Sequence, residues 1–265
     1  MVLRYIPIPA FKDNYIWAVT DGENAVIVDP GEAAPVLAFC GADDIRIGAI
    51  LLTHHHGDHV GGVEELLASD VAVPGCEVFV PASERIAQVT RQLRGGDLVT
   101  IAQPGFQARV LDVPGHTSGH IAYYQEARTE GVPHLFCGDT LFASGCGRLF
   151  EGTPQQMLRS LDTLANLDET TEVHCAHEYT LSNIEFSLAS EPTSASIAEW
   201  KETAQALRAA GKPTLPTTIG HEKRVNPFLR SGELAVQRTL TARFGLVGTD
   251  RLEAFTLLRN WKNDF

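Results

Sequence analysis

One short stretch, residues 53–59 (THHHGDH), constrains this chain more than any other part of its sequence. Four of its seven residues are histidines and a fifth is an aspartate. Imidazole nitrogens and carboxylate oxygens are ligands for zinc and similar divalent metals. The apolar run before it, residues 45–52, predicts a buried strand, and residues 60–67 after it predict a helix start. The sequence therefore predicts a metal-binding loop where the backbone leaves a sheet.

The spacing within the loop suggests more than one metal position. His54 and His56 are two residues apart, so in extended chain their side chains point the same way. Asp58 and His59 follow Gly57, where the chain can turn and present them to a second position. His55 alternates away from its neighbours, which favours a supporting role. The simpler alternative is a polar loop with helix-capping side chains, and the density of donors disfavours it.

Three later apolar runs also end in potential ligands, namely His116 in PGHTSGH, Asp139 in CGDT and His177 in AHEY. A single histidine or aspartate after a strand is more often structural. Their recurrence, together with the dense first loop, favours ligands gathered at one end of the strands of a layered α/β protein, where active sites lie.

Composition restricts the classes of partner. The chain has 265 residues and a net charge of -12, which argues against nucleic acid and requires a local basic patch for any anionic substrate. No apolar run is long enough to span a bilayer, and the first residues lack the layout of a signal peptide. The five cysteines form no CxxC pair. We therefore expect a cytoplasmic, reduced protein that binds no membrane.

The pattern along the chain predicts two domains. Strands alternate with helices up to Tyr179, including predicted helices over residues 33–40 and 83–93 and a helix that Thr153 caps ahead of Pro154. Helical signals dominate afterwards. We therefore predict a metal-binding catalytic domain over residues 1–178 and a helical, substrate-binding domain over residues 179–265.

Several motifs resemble those of known proteins. THHHGDHVGG, PGHTSGH, CGDTLF and AHEYT resemble the four metal motifs of the metallo-β-lactamase superfamily. FKDNYIW, GCGRLFEG, HEYTLSN, VNPFLR and RNWKNDF extend a resemblance to the glyoxalase II (hydroxyacylglutathione hydrolase) family over nearly the whole chain. The resemblance implies an αββα sandwich of the α/β class with a C-terminal helical domain. It also implies hydrolysis of S-D-lactoylglutathione to D-lactate and glutathione, the second step of methylglyoxal detoxification.

The resemblance also implies a set of ligands. One metal would be held by His54, His56 and His116, the other by Asp58, His59 and His177, and both by Asp139 and a bridging hydroxide. Two divalent ions are expected, with zinc preferred and iron or manganese as alternatives. No catalytic residue separate from the metals is implied. Such metals lower the pKa of water to about 7, and a thiolate leaving group, with a pKa of about 8.5, needs no separate acid.

The substrate's carboxylates need donors, and the resemblance implies Arg148, Tyr179, Arg259 and Lys262. Arg259 and Lys262 are three residues apart, hence neighbours on one helical face. A solvated helix end, where basic residues complement the helix dipole, is the alternative for this pair. The chain departs from some family members at Arg148, where others have Lys, and at Phe150, where others have Tyr and thus one more hydroxyl.

Other classes of function stay open. Within the superfamily, the rivals are a glutathione persulfide dioxygenase, a lactonase and a β-lactamase. A metal-stabilised binding protein without catalysis is the rival from another class, but structural zinc sites are usually closed and often cysteine-rich, whereas this donor set has no cysteine. We expect a monomer whose partner is a small glutathione thioester.

Overall fold

The structure is a computed structural model that describes residues 2–127 and 131–265. The chain forms two compact units. The first contains the residues up to Asp112 together with Ser118–Gly138, and the second contains Val113–Thr117 together with Asp139–Phe265.

The first unit contains a six-stranded sheet in sequential order, with an antiparallel half and a parallel half. Its strands are β1 (Arg4–Ala10), β2 (Asn14–Thr20), β3 (Asn24–Val28), β4 (Arg46–Leu51), β5 (Ala72–Pro81) and β6 (Arg91–Leu93). The helices between them are α1 (Ala33–Asp43), α2 (Gly57–Val60) and α3 (Val63–Ala68). The helices pack on an apolar core that includes Ile27, Ile47, Ile50, Val36 and Leu66. This core fixes the end of β4, from which the histidine loop leaves.

The same unit contains an antiparallel set of four strands in the order β7 (Leu98–Ile101), β8 (Phe106–Asp112), β9 (Ile121–Gln125) and β10 (His134–Gly138). Tyr123 of β9 is fully buried, and its hydroxyl donates to the carbonyl of Leu52 at 2.8 Å. The amide of Ile121 donates to the carbonyl of Thr53 at 3.0 Å. These bonds join the second set of strands to the backbone just before the histidine loop.

The second unit combines short strands with most of the helices. Its strands are β11 (Leu141–Phe142), β12 (Gly145–Cys146), β13 (Glu172–Cys175) and β14 (Thr217–Thr218). Its helices are α4 (Pro154–Ala165), α5 (Thr180–Ser190), α6 (Ala195–Ala209), α7 (Ile219–Val225), α8 (Leu234–Phe244) and α9 (Arg251–Asn263). Buried aromatic rings, among them Phe186, Phe228 and Phe255, pack between α5, the segment after α7 and α9. Burial of such rings supplies much of the apolar area of a helical core.

Local predictions from the sequence are mostly confirmed. The strand before the histidine loop, helix α1 and the capped helix α4 are present, and Thr153 with Gln156 forms a complete capping box. The prediction of a helix over residues 83–93 is wrong, because these residues form turns and then strand β6. Thr90 bonds the backbone of Val78 through both its amide and its hydroxyl, so this segment runs alongside β5 and ends as β6. Partners on a neighbouring strand have overridden a local helical pattern.

Within residues 2–127 and 131–265, every helix is too short or too polar to cross a membrane.

Candidate metal centre

The first group of ligand candidates lies in the loop after β4. His54 and His59 are fully buried, and the rings of these two residues are 4.1 Å apart between centroids. Nε2 of His54 lies 3.1 Å from Nδ1 of His56. Asp58 is the more exposed member, and its carboxylate lies 3.6 Å from Nε2 of His59. Four donors from one short loop therefore converge within this unit.

Hydrogen bonds determine which ring nitrogens are available. The hydroxyl of Thr53 donates to Asp29 at 2.7 Å, so Nδ1 of His54, which lies 3.0 Å from the same hydroxyl, is the donor in that second bond. Nδ1 of His59 in turn faces the Asp29 carboxylate at 3.0 Å. A neutral imidazole has one N–H, so Nε2 of both rings keeps its lone pair. A carboxylate behind a histidine is a common arrangement at metal sites.

Two supporting residues were missed from the sequence. Asp29 follows β3 and adopts a left-handed backbone with a φ of 52°. Its other carboxylate oxygen accepts the amide of Thr53 at 2.8 Å. Asn14 at the start of β2 donates to the Asp58 carboxylate at 3.1 Å. Both residues lie more than 20 positions from their partners, so only the long-range pairing of strands reveals them.

His55 faces away from these donors. Its Nδ1 contacts the carboxylate of Glu84, which follows β5. This agrees with the alternation along the loop, which predicts that His55 points away from His54 and His56.

The second group of ligand candidates lies in the second unit and centres on Asp139. One oxygen of the Asp139 carboxylate lies 3.3 Å from Nε2 of His116, and the other lies 3.3 Å from Nε2 of His177. All three side chains are more than nine-tenths buried. Nδ1 of His116 donates to the carbonyl of Arg148 at 2.8 Å, which leaves Nε2 with its lone pair. With a neutral imidazole, Nε2 of His116 and the Asp139 carboxylate face each other as two acceptors, an arrangement that a bound cation would satisfy.

The loop that follows Asp139 packs closely against the backbone of Asp139. A Cβ at Gly147 would lie 1.9 Å from the carbonyl oxygen of Asp139, so only glycine fits there. The amide of Gly147 donates to the carbonyl of Thr140 at 3.1 Å. This packing places the carbonyl of Arg148, one residue later, where it meets the His116 ring.

The residues predicted to bind substrate all lie in the second unit. Arg148 is exposed, and the ring of Tyr179 is stacked on that of His177 at 4.6 Å between centroids. Arg259 is only 5% exposed and donates to the carbonyl of Cys146 at 2.8 Å. Lys262 donates to the carbonyl of Ser182 at 3.2 Å. Burial and the neighbouring charge of Arg259 lower the pKa of Lys262 to about 8.

The donor chemistry fits divalent metal ions. The donors are histidine nitrogens and aspartate oxygens without a cysteine, and these are ligand types that zinc, iron and manganese accept. Because Nδ1 of His54, His59 and His116 is committed to a supporting partner, their Nε2 atoms lie ready as ligands.

Comparisons with known proteins agree with this class. Residues 11–177 match the family described as the metallo-beta-lactamase superfamily, and residues 178–265 match the hydroxyacylglutathione hydrolase C-terminus. The chain is 26% identical to TTHA1623, solved in a di-iron-bound form, with a TM-score of 0.57 over 84% of this chain and 99% of that one. The fold and the donors thus define a metal-binding protein with the αββα metallo-β-lactamase fold and a helical C-terminal domain.

Two curated relatives narrow the family further. The chain is 56% identical to the hydroxyacylglutathione hydrolase of Cupriavidus taiwanensis and 54% identical to that of Cupriavidus metallidurans, in each case over all of both chains. The chain belongs to the hydroxyacylglutathione hydrolase family.

Proposed function

We propose that this enzyme hydrolyses the thioester of S-D-lactoylglutathione, and of related 2-hydroxyacylglutathiones, to a 2-hydroxy acid and glutathione. Full-length identity of 56% to a hydroxyacylglutathione hydrolase supports the substrate. The observation that carries the chemistry is the set of buried histidines whose Nδ1 atoms are held by Thr53, Asp29 and the Arg148 carbonyl. Such preorganisation suits bound metals that act in catalysis.

The proposed ligands are the seven residues that the family resemblance implies. His54, His56 and His116 would hold one ion, Asp58, His59 and His177 the other, and Asp139 both. When bound, two divalent cations would lower the pKa of a shared water and polarise the thioester carbonyl. We propose zinc, with iron or manganese as alternatives for the same donors. The di-iron form of TTHA1623 supports the proposed number of ions but describes that protein.

The chain's own residues orient the reactants. Asp29 and Thr53 hold two imidazoles in one tautomer, and Asn14 holds the Asp58 carboxylate. These bonds are in place before substrate arrives, so the reaction itself requires little reorganisation of the protein. The leaving group is a thiolate with an ordinary pKa of about 8.5, which departs without a dedicated acid.

We propose that residues 179–265, as the substrate-binding domain, recognise the glutathione part, with Arg148 of the catalytic domain, residues 1–178. Arg148 is an exposed cation, and Tyr179 presents a half-buried ring. Lys262 and Arg259 supply positive charge on α9, although Nη1 of Arg259 donates to the carbonyls of Cys146 and Gly147. Phe150 is 62% exposed and offers a ring without a hydroxyl. Positive side chains in an acidic chain concentrate attraction for carboxylates locally.

The test is a metal count combined with a substrate panel. The purified enzyme should contain two ions per chain and hydrolyse lactoylglutathione, with little activity on a lactone or a β-lactam. Asp139→Ala should lose metal and thioester hydrolysis. Asp168→Ala, which removes an exposed carboxylate of a surface turn, is the matched control and should keep both. Full activity in Asp139→Ala would disprove the metal assignment.

The same panel separates the rivals. A persulfide dioxygenase would consume oxygen with glutathione persulfide, and a lactonase or β-lactamase would prefer its own ring substrate. A metal-stabilised binding protein would hold ions but turn over nothing. None of these is favoured by the full-length relatives.

We also propose that the enzyme works as a monomer in the cytoplasm, without nucleic acid or membrane as a partner. The five cysteines, all within the described residues, are buried thiols and form no disulfides, which suits a reducing compartment. Sedimentation of the purified enzyme would test the monomer, and fractionation of cells the location.

A further inference from the structure

Glu84 is a buried carboxylate with two distinct partners. Its residue is 8% exposed, and it lies in the turn that follows β5. One carboxylate oxygen contacts Nδ1 of His55, and the other accepts the amide of Gly119 at 3.0 Å. All three residues belong to the first unit. A single side chain therefore holds two separate loops.

Both loops are next to proposed metal ligands in the chain. His55 lies between His54 and His56, so a restraint on its ring also restrains the backbone that carries both ligands. Gly119 follows His116 by three residues, and its amide is the atom that Glu84 holds. A Cβ at Gly119 would lie 2.9 Å from the Glu84 carboxylate, so the backbone approaches this group as closely as glycine allows.

Glu84 lies in the segment that bonds to β5 through Thr90 and Val78. The sequence of residues 83–93 predicts a helix. The structure instead has a turn that buries the carboxylate, at the cost of removing a charge from water. Conflicts between local pattern and structure are expected at functional sites. The turn brings the Glu84 carboxylate to the two loops.

We infer that Glu84 is a positioning residue that sets the metal affinity of the enzyme by holding the loop of residues 54–59 and the backbone at Gly119. This inference rests on the proposed metal ligands. Removing residues that orient metal ligands typically weakens affinity by about 10–100-fold. Glu84→Ala should therefore weaken zinc binding by that factor. His55→Ala removes one of the two restraints and should have a smaller effect.

The experiment is a titration of metal-free protein with zinc ions against a chromophoric chelator, which needs no turnover. Glu84→Gln is the second variant, because its amide oxygen still accepts the Gly119 amide while the negative charge is lost. It keeps the protein folded if Glu84→Ala does not fold, and its zinc affinity should lie between those of wild type and Glu84→Ala.

Glu191→Gln is the matched control. Glu191 is a carboxylate that is 4% exposed, and it pairs with Arg230 at 2.7 Å in the second unit, away from the histidine loop in sequence. This control should lower thermal stability but leave zinc affinity unchanged. If Glu84 had only a structural role, its variants would behave like this control: the melting temperature of the metal-free protein would fall and zinc affinity would stay unchanged.

The outcomes are distinct. Zinc affinity within twofold of wild type in both Glu84 variants overturns the inference, as does an equal loss in Glu191→Gln. A wild-type protein that binds zinc but does not hydrolyse lactoylglutathione refutes the proposed function, while the zinc titration still decides the role of Glu84. A wild-type protein that binds no divalent metal overturns both.

Discussion

Lys262 keeps its positive charge in unfavourable surroundings. Burial and the nearby Arg259 lower its pKa to about 8. The protonated form is the one that attracts a carboxylate, so kcat/KM for the glutathione thioester should fall as the pH rises through about 8. Lys262→Arg should abolish this fall, because arginine stays charged far above that pH. The measurement is kcat/KM against pH for both enzymes.

A thioester without carboxylates is the control for Lys262. Its kcat/KM should show no difference between wild type and Lys262→Arg in this pH range. An identical fall for both substrates, or for both enzymes, would show that another group titrates.

At the scale of residues, the sequence points to candidate ligands, which stay a prediction, but not to the groups that contact them. Histidines at strand ends are visible as a pattern. Asp29, Asn14 and Glu84 are ordinary polar residues in their local context, and their partners lie 24 to 44 positions away. Only the pairing of strands brings these residues next to the loop.

Helix α4 shows how much a single cap contributes to an element. Thr153 accepts the amide of Gln156 at 3.2 Å, and Gln156 returns a bond to the amide of Thr153. Thr153→Ala should lower the free energy of unfolding by about 1 kcal/mol, measured by urea denaturation. Thr163→Ala deletes the same atoms from the interior of the same helix, where alanine is the better helix former, and should not destabilise. Equal losses in both variants would refute the role of the cap.

Helix α7 carries two neighbouring groups whose titrations oppose each other. Burial lowers the pKa of His221 from its ordinary value of 6.5 to about 4. Between these two values the unfolded chain binds a proton at this histidine more readily than the native state does, so stability is lost as the pH falls. Burial raises the pKa of Glu222 to about 7 from 4.5, so the native state binds the extra proton, and stability is lost as the pH rises. The two contributions to the pH dependence of the free energy of unfolding should therefore cancel between about pH 4.5 and about pH 6.5.

Removing either side chain of α7 should reveal how the other one makes the free energy of unfolding depend on pH. In Glu222→Gln, the free energy of unfolding relative to wild type should increase with pH between about 4.5 and about 6.5, because His221 alone remains. In His221→Gln it should decrease over the same range. Urea denaturation at several pH values measures both. Parallel pH profiles for all three proteins would show that these side chains do not titrate as a pair.

At the scale of elements, periodic and capped segments were predictable and irregular ones were not. The apolar spacing of α4 and its Thr-Pro start are local signals, and the helix is present. The segment over residues 83–93 has a helical pattern too. Hydrogen bonds between its Thr90 and Val78 of the neighbouring strand β5 decide its structure instead. Local sequence carries no information about such a partner.

At the scale of the molecule, two divisions of the chain answer different questions. The boundary predicted near Tyr179 follows a change from strand signals to helical ones, and the matched family changes between residues 177 and 178. The compact units instead follow long-range contacts, and they assign Val113–Thr117 and Asp139–Phe265 together. Long-range contacts cannot be read from local pattern, so this division was not predictable. The roles of the two predicted domains stay a prediction.

The proposed ligands come from four separate stretches of chain, so metal should stabilise the molecule as a whole. An unfolded chain cannot present seven spaced donors together, and a ligand that binds only the native state adds about 2.7 kcal/mol at a free concentration of 100 times its Kd. The midpoint of urea denaturation should therefore rise with free zinc and fall when a chelator is added. Asp139→Ala should lose most of this dependence, because its carboxylate is proposed to contact both ions. If the midpoint of urea denaturation of the wild type did not change with zinc, the donors would be held together by the fold alone and metal would contribute nothing to stability.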